Sequence, residues 1–163
     1  MPSTPNDEHA SEADIAAVAE LLGRRPQGDF AVVVRHDDGS PLVIRNEPLM
    51  EDGTPMPTRY WLVGDPERGW IGRLESEGGV NEVEAILGLG VIAEAHDRYA
   101  AERDAALPDG YAGHRPSGGV GGTRKGVKCL HAHYAWFLAG GDDPVGRWVA
   151  EQLAPASSAG EAS

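Results

Sequence analysis

The segment 108–126 limits the fold more than any other part of the chain, because it contains seven glycines and two prolines in nineteen residues. Glycine loses the most backbone entropy on ordering, and proline removes a hydrogen-bond donor, so neither a helix nor a strand continues through such a stretch. The elements before residue 108 must therefore form separately from those after residue 126.

The first part of the chain predicts one helix followed by three short strands. Ser11 is a good N-cap with Asp14 three positions later, and Gly23 is placed to end this helix. The β-branched run Phe30–Arg35 reads as a strand, and turn residues then lead to a second strand, so a hairpin is expected. Further strand residues are found at 42–45 and 60–63.

Helical patterns dominate the rest of the chain. One helix starts near Pro66, and a second runs from Asn81 to about Leu107, weakened or split by Gly88 and Gly90. Apolar residues at helical spacing predict two more helices, at 127–138 and 144–153. The pattern predicts an α+β fold, a small antiparallel sheet of about three strands packed with four to five helices. We expect one domain at residues 11–153, between disordered tails at 1–10 and 154–163.

Composition narrows the environment and the partners. The net charge is −12, and a field of this sign repels nucleic acid and anionic lipid, so we expect binding to neither. No run of eighteen apolar residues suggests a membrane span, and the first residues do not resemble a secretory signal. The single cysteine, Cys129, suits a reducing compartment, so we expect a cytoplasmic location.

One segment departs from the acidic average. Residues 114–141 contain no aspartate or glutamate, although they include basic side chains at Arg115, Arg124, Lys125 and Lys128. These four residues, beside a glycine-rich loop that leads into a helix N-terminus, are candidates for binding an anion such as a phosphate group. The alternative is a solvated loop whose basic residues only balance the acidic surface.

The same segment concentrates potential metal ligands. Cys129, His131 and His133 lie within five residues, with His114 upstream and His36 far away in sequence, and thiolate with imidazole suits Zn²⁺. On a regular helix only positions 129 and 133 share a face, so Cys129 and His133, completed by His36 or His114, form the favoured set.

Two other interpretations of these residues stay open. In one, Cys129 is a small buried hydrophobe, His131 a hydrogen-bonded core histidine and His133 a surface residue. In the other, Cys129 is a nucleophile activated by a histidine one turn away, although the neighbouring sequence offers no carboxylate to orient that histidine.

Five short motifs, in order along the chain, resemble a known family: DGTPMPT at 52–58, YWL at 60–62, RLE at 73–75, VKCLH at 127–131 and PVG at 144–146. They are similar to the bacterial domain-of-unknown-function family 501, which implies no established activity. Many members carry a cysteine where His36 stands, and a cysteine or histidine close to Gly64. The resemblance thus implies that this chain keeps a possible ligand at His36 and lacks one at Gly64.

Two functional classes follow from the sequence. The first is a binding or adaptor module with an anion- or metal-binding segment around residues 114–133, whose partner is a protein or a phosphate-bearing small molecule. The second is a small hydrolase acting on a phosphorylated substrate, with Cys129, His131 or His133 in its site. No complete catalytic constellation is present in the sequence, so whether the chain is an enzyme stays open.

Overall fold

The computed structural model describes residues 9–26, 28–56, 58–113 and 118–162. Its first helix, α1 (Glu12–Leu22), begins at Ser11, whose hydroxyl accepts the N–H of Asp14, and ends at Gly23 in the left-handed conformation. Both caps were predicted, because a serine hydroxyl satisfies a free N–H at the start and glycine adopts a positive φ without strain.

Three antiparallel strands form one sheet in the order β1 (Phe30–Arg35), β2 (Pro41–Asn46) and β3 (Tyr60–Leu62). The hairpin register pairs Phe30 with Asn46, and β2 pairs Val43 with Leu62 of β3. The central strand β2 is buried along most of its length, because both faces of the sheet are covered.

The remaining helices in the described residues are α2 (Glu67–Ser76), α3 (Gly79–Leu87), α4 (Leu89–Ala105), α5 (Leu130–Leu138) and α6 (Pro144–Ala162), with a short 3₁₀ turn at Val120–Gly122. The α+β class is confirmed. Six α-helices appear where four to five were expected, because Gly88 has a φ of 86° and a ψ of 147°, which divides the predicted 81–107 helix into α3 and α4.

The sheet lies between two layers of helix. On one face, Val18 of α1 packs with Phe30, Ile44 and Val63 in a small apolar cluster. On the other face, a larger core joins the sheet to the later helices, and α5 packs against both β3 and α6. This arrangement places the amino-terminal end of α5 beside α2, where the candidate site described below is located.

The two ends of the chain differ in how far they are described. Of the predicted tail 1–10, only positions 9 and 10 are described, and Ala10 donates its N–H to the carbonyl of Phe30. The backbone of 154–162 continues α6 as helix, where the sequence predicts a disordered tail. The division into one domain with two disordered tails stays a prediction.

Candidate metal centre

Three side chains from two helices and the segment between them converge at one point. Glu75 lies near the end of α2, Cys129 directly precedes α5, and His131 lies in the first turn of α5. One donor atom from each lies within 4.8 Å of the other two, and all three residues are half-buried. A thiol, an imidazole and a carboxylate at this spacing are a set that a transition-metal ion can bind.

The orientation of His131 is fixed from outside the cluster. Its Nε2 lies 3.2 Å from the backbone carbonyl oxygen of Arg68. Because a carbonyl only accepts hydrogen bonds, Nε2 carries the hydrogen and donates it, which leaves Nδ1 to face Glu75 Oε1 at 3.3 Å. Metal-binding histidines are commonly oriented in this way, with the second ring nitrogen donating to a carbonyl or carboxylate.

The surroundings of His131 favour positive charge at this point. A hydrogen bond with Cys129 is the main cause that raises the pKa of His131, the charge of Glu75 and the carbonyl of Arg68 add to it, and burial opposes them. A proton on Nδ1 or a metal ion would supply this positive charge, since Cys129, Nδ1 and the Glu75 carboxylate are all electron-rich when deprotonated.

Cys129 is not part of the helix. It is the N-cap of α5, with an extended backbone at φ −151° and ψ 151°, and helix α5 begins only at Leu130. Side chains of the preceding helices bind the backbone here: Val127 N–H donates to Glu84, and Leu130 N–H donates to Glu75 Oε2 at 2.7 Å. The prediction of a helix from residue 127 is therefore wrong, and with it the helix geometry that paired Cys129 with His133.

His133 lies in the core instead. It is fully buried, and its Nδ1 lies 2.6 Å from Oδ2 of the equally buried Asp143. Asp143 Oδ1 also accepts the N–H of Val145, in the first turn of α6. Among the described residues, no hydrogen-bond partner reaches His133 Nε2, and the His133 ring packs near that of His96, with centroids 5.7 Å apart. The alternative prediction of a surface position for His133 is wrong too.

The other predicted ligands do not join the cluster within the described part of the chain. His36 uses both ring nitrogens elsewhere: Nδ1 contacts Ser40 Oγ at 3.0 Å and Nε2 contacts Glu67 Oε1 at 2.9 Å. The His36 ring lies against Gly64, where an added Cβ would be 2.8 Å from Cε1. His114 lies outside the described residues.

The structure does not bring the predicted anion-binding residues together in one site. Arg124, Lys125 and Lys128 are exposed, and Arg115 lies outside the described residues. The N–H of Leu130 at the start of α5 already binds the carboxylate of Glu75, so an external anion would have to displace it. Of the three described basic residues, only Lys128 lines the groove that opens beside the cluster.

This groove has a volume of about 770 Å³, including the part open to solvent. Cys129 and His131 line it, together with Gly121 and Lys128 from the segment before α5. The end of α1, strand β3 and residues next to them contribute the rest of the lining: Leu22, Arg24, Thr58, Tyr60, Trp61 and Leu62. A metal ion held by the cluster would thus have a ligand position accessible from outside.

His96 of α4 holds the glycine-rich loop in place. Its Nδ1 accepts the N–H of Val120 at 3.0 Å, and its Nε2 donates to the carbonyl of Gly126 at 2.7 Å. An N–H only donates and a carbonyl only accepts, so these two bonds require the neutral ring. Burial is the main cause that lowers the pKa of His96. Gly119 packs against the same ring, where an added Cβ would lie 2.5 Å from Nδ1.

Sequence reasoning missed Glu75 as a member of the site. The residue belongs to a run of acidic side chains that is typical of solvated helix faces, and 54 positions separate it from Cys129. One signal was available, since Glu75 lies within the RLE motif that carries part of the family resemblance.

The comparisons with known proteins give a family and no activity. Among the described residues, no helix is both long enough and apolar enough to cross a membrane. No curated protein and no solved structure matches the chain. The profile of one family, described as "Protein of unknown function (DUF501)", matches residues 32–151, which include β2, β3 and all three members of the cluster. The chain therefore belongs to the DUF501 family.

Proposed function

We propose that the chain is a metal-dependent binding module that holds Zn²⁺ through Glu75, Cys129 and His131. One observation carries this proposal: Nδ1 of His131 faces Glu75 Oε1 at 3.3 Å, while Nε2 is committed to the carbonyl of Arg68. Three donor atoms of different chemistry converge, and a cation between them would relieve the repulsion of their lone pairs.

Zinc suits this set better than a hard cation does. Magnesium and calcium prefer oxygen ligands, whereas thiolate and imidazole select zinc among the common divalent ions. With bond lengths of about 2.0 to 2.3 Å, donor atoms on a tetrahedral zinc lie roughly 3.3 to 3.8 Å apart. The 3.3 Å between His131 Nδ1 and Glu75 Oε1 already falls in this range. Three protein ligands leave a fourth position, which would face the groove.

Elemental analysis of the purified protein tests the proposal. Wild-type protein should contain roughly one zinc ion per chain, and both Cys129→Ser and Glu75→Gln should lose it. The glutamine side chain can still accept the N–H of Leu130, so Glu75→Gln removes the charge with little effect on the start of α5.

His36→Gln is the matched control, because His36 uses both nitrogens outside the cluster. It should retain the zinc of the wild type. Metal-free wild-type protein that takes up no added zinc would overturn the proposal. Zinc lost from Cys129→Ser and His36→Gln but retained by Glu75→Gln would instead restore the sequence-based ligand set.

A hydrolase acting on a phosphorylated substrate is the second candidate, and the proximity of Cys129 Sγ to the His131 ring, within 4.8 Å, favours it. In the metal-free protein, the Cys129 thiolate would form a bond to phosphorus as the P–O bond to the leaving group breaks, and the leaving oxygen would take the proton from His131 Nδ1. Water would then hydrolyse the S–P bond, which releases phosphate and restores the thiol. Glu75 supplies the orienting carboxylate that the sequence near Cys129 lacks. His133, the other proposed catalytic histidine, is buried against Asp143.

Turnover of p-nitrophenyl phosphate separates the two candidates. Hydrolysis by chelator-treated protein that disappears in Cys129→Ser would support the hydrolase. The same substrate left intact by both the zinc-loaded and the chelated forms would favour the binding module. For either function we propose a cytoplasmic location, since the free thiol of Cys129 has to stay reduced.

A further inference from the structure

The charged lining of the groove has one sign. The described residues that line the groove include three basic side chains, Arg24, Lys128 and His131. None of these lining residues is an aspartate or a glutamate. The chain as a whole has 26 acidic and 14 basic residues, so the positive charge of this lining contrasts with the negative charge of the whole chain. Such a lining concentrates anions near the groove.

Two cationic side chains line the groove from different parts of the chain. The Arg24 guanidinium lies 5.9 Å from the centre of the Trp61 ring. Lys128 belongs to the segment before α5, where a Cβ added to Gly121 would lie 3.5 Å from the lysine stem. Leu22, Trp61, Leu62 and Ala132 supply apolar surface to the same groove.

Neither cation has a carboxylate partner in the part of the chain that the structure describes. Five other arginines of the described chain form ion pairs with aspartates: Arg35, Arg68, Arg98, Arg103 and Arg147. Within the same described ranges, Arg24 and Lys128 form no ion pair with a carboxylate. The acidic group next to the groove, Glu75, is engaged by the N–H of Leu130 and by His131.

We infer that the groove binds a small organic oxyanion with an aromatic or apolar body. Its carboxylate or phosphate group lies between Arg24 and Lys128, and its body packs on Trp61 and Leu62. The inference rests on the proposed function in one respect, since an oxygen of the anion would complete the coordination of the zinc ion. The charge of the groove itself does not depend on the metal.

Calorimetric titration with phenyl phosphate and with benzoate tests the inference, on zinc-loaded and on chelator-treated protein. At least one of the two anions should bind, and more tightly than inorganic phosphate or benzyl alcohol, which carry only the charge or only the ring. The tighter of the two probes identifies the group, phosphate or carboxylate, that the site prefers.

The two lysines of the chain supply a matched pair of variants. Lys128→Ala should weaken binding of the preferred probe by about threefold to tenfold, because an exposed lysine contributes a modest charge-assisted bond. Lys125→Ala removes the same charge three residues away, outside the groove, and should leave the affinity unchanged within about twofold.

Equal losses in both lysine variants would overturn the inference, because they would show only general attraction of anions. Failure of both probes to bind would overturn it as well. The zinc content of each variant, measured on the same samples, keeps this result separate from the proposed function. Wild-type zinc content without anion binding refutes the inference alone.

Discussion

Histidines in three different environments set the chemistry of this molecule at the scale of single residues. His131 is half-exposed, and its neighbours raise its pKa, chiefly through the hydrogen bond with Cys129. His96 is buried, and desolvation lowers its pKa. His133 is fully buried against a carboxylate. The partners of His96 and His133 lie at least ten positions away in the sequence, whereas Cys129 lies two positions from His131.

The free energy of unfolding should depend on pH in part through the protonation of His96. Its folded-state pKa is lowered, so between that value and the unfolded value of about 6.5 the unfolded chain binds the proton first. The contribution of His96 is therefore complete above about pH 6.5 and is lost as the pH falls through the folded pKa.

Replacement by phenylalanine isolates this contribution. His96→Phe keeps the ring but removes two hydrogen bonds and leaves the N–H of Val120 buried without a partner, at a cost of about 2 to 4 kcal/mol at pH 7.5. Urea unfolding of both proteins should show that this difference shrinks as the pH falls from 6.5. A difference that grows toward acid pH would contradict the neutral assignment of His96.

Two adjacent aspartates should differ strongly in their effect on stability. Asp143→Ala leaves His133 and the N–H of Val145 without a buried partner, so the free energy of unfolding should fall by about 3 to 5 kcal/mol. Asp142 is largely exposed and pairs only with surface arginines, so Asp142→Ala should cost at most about 1 kcal/mol. Urea unfolding checks both values, and similar losses would contradict the buried role of Asp143.

At the scale of elements, local signals determined most helix and strand boundaries. The hydroxyl of Ser11, the turn between β1 and β2, and the glycine between α3 and α4 each act within a few residues, so they can be recognised in the sequence. The start of α5 cannot be recognised in this way. Carboxylates from α2 and α3 accept backbone N–H groups of the segment before α5 and hold it in an extended form. The apolar pattern of residues 127–138 does not reveal these contacts, because the carboxylates belong to other helices.

Two glycines near the α3–α4 boundary test how that boundary is formed. Gly88 has a backbone conformation that only glycine adopts readily, so Gly88→Ala should destabilise the protein by about 1 to 3 kcal/mol. Gly90 lies in helix α4 with open space around it, so Gly90→Ala should be neutral or stabilise by up to about 1 kcal/mol. Thermal unfolding measures both, and the opposite order would show that the boundary does not depend on Gly88.

At the scale of the whole molecule, the candidate site is a product of layer packing. The sequence predicted the α+β class and the importance of Cys129 and His131, since both follow from composition and short-range pattern. It could not predict Glu75 as their partner, because only the packing of α2 against α5 brings that carboxylate to them. His133 does not join the site, because its ring is buried against Asp143, directly before α6.

The charge distribution is also a property of the whole molecule. The sequence showed that residues 114–141 lack acidic groups, but it placed four basic residues in one candidate site. Folding instead brings Lys128 into the lining of the same groove as Arg24, which follows α1, whereas Arg124 and Lys125 are exposed outside it. Charge along the chain is therefore a poor guide to charge in space.

X-ray absorption at the zinc edge tests the central claim most directly, because it counts the sulfur atoms around the metal. We expect one sulfur at about 2.3 Å, with two or three nitrogen or oxygen atoms at about 2.0 to 2.2 Å. Because the chain has a single cysteine, two sulfurs would show a site shared between copies. That result, or a shell of nitrogen and oxygen alone, would contradict a centre built from Glu75, Cys129 and His131.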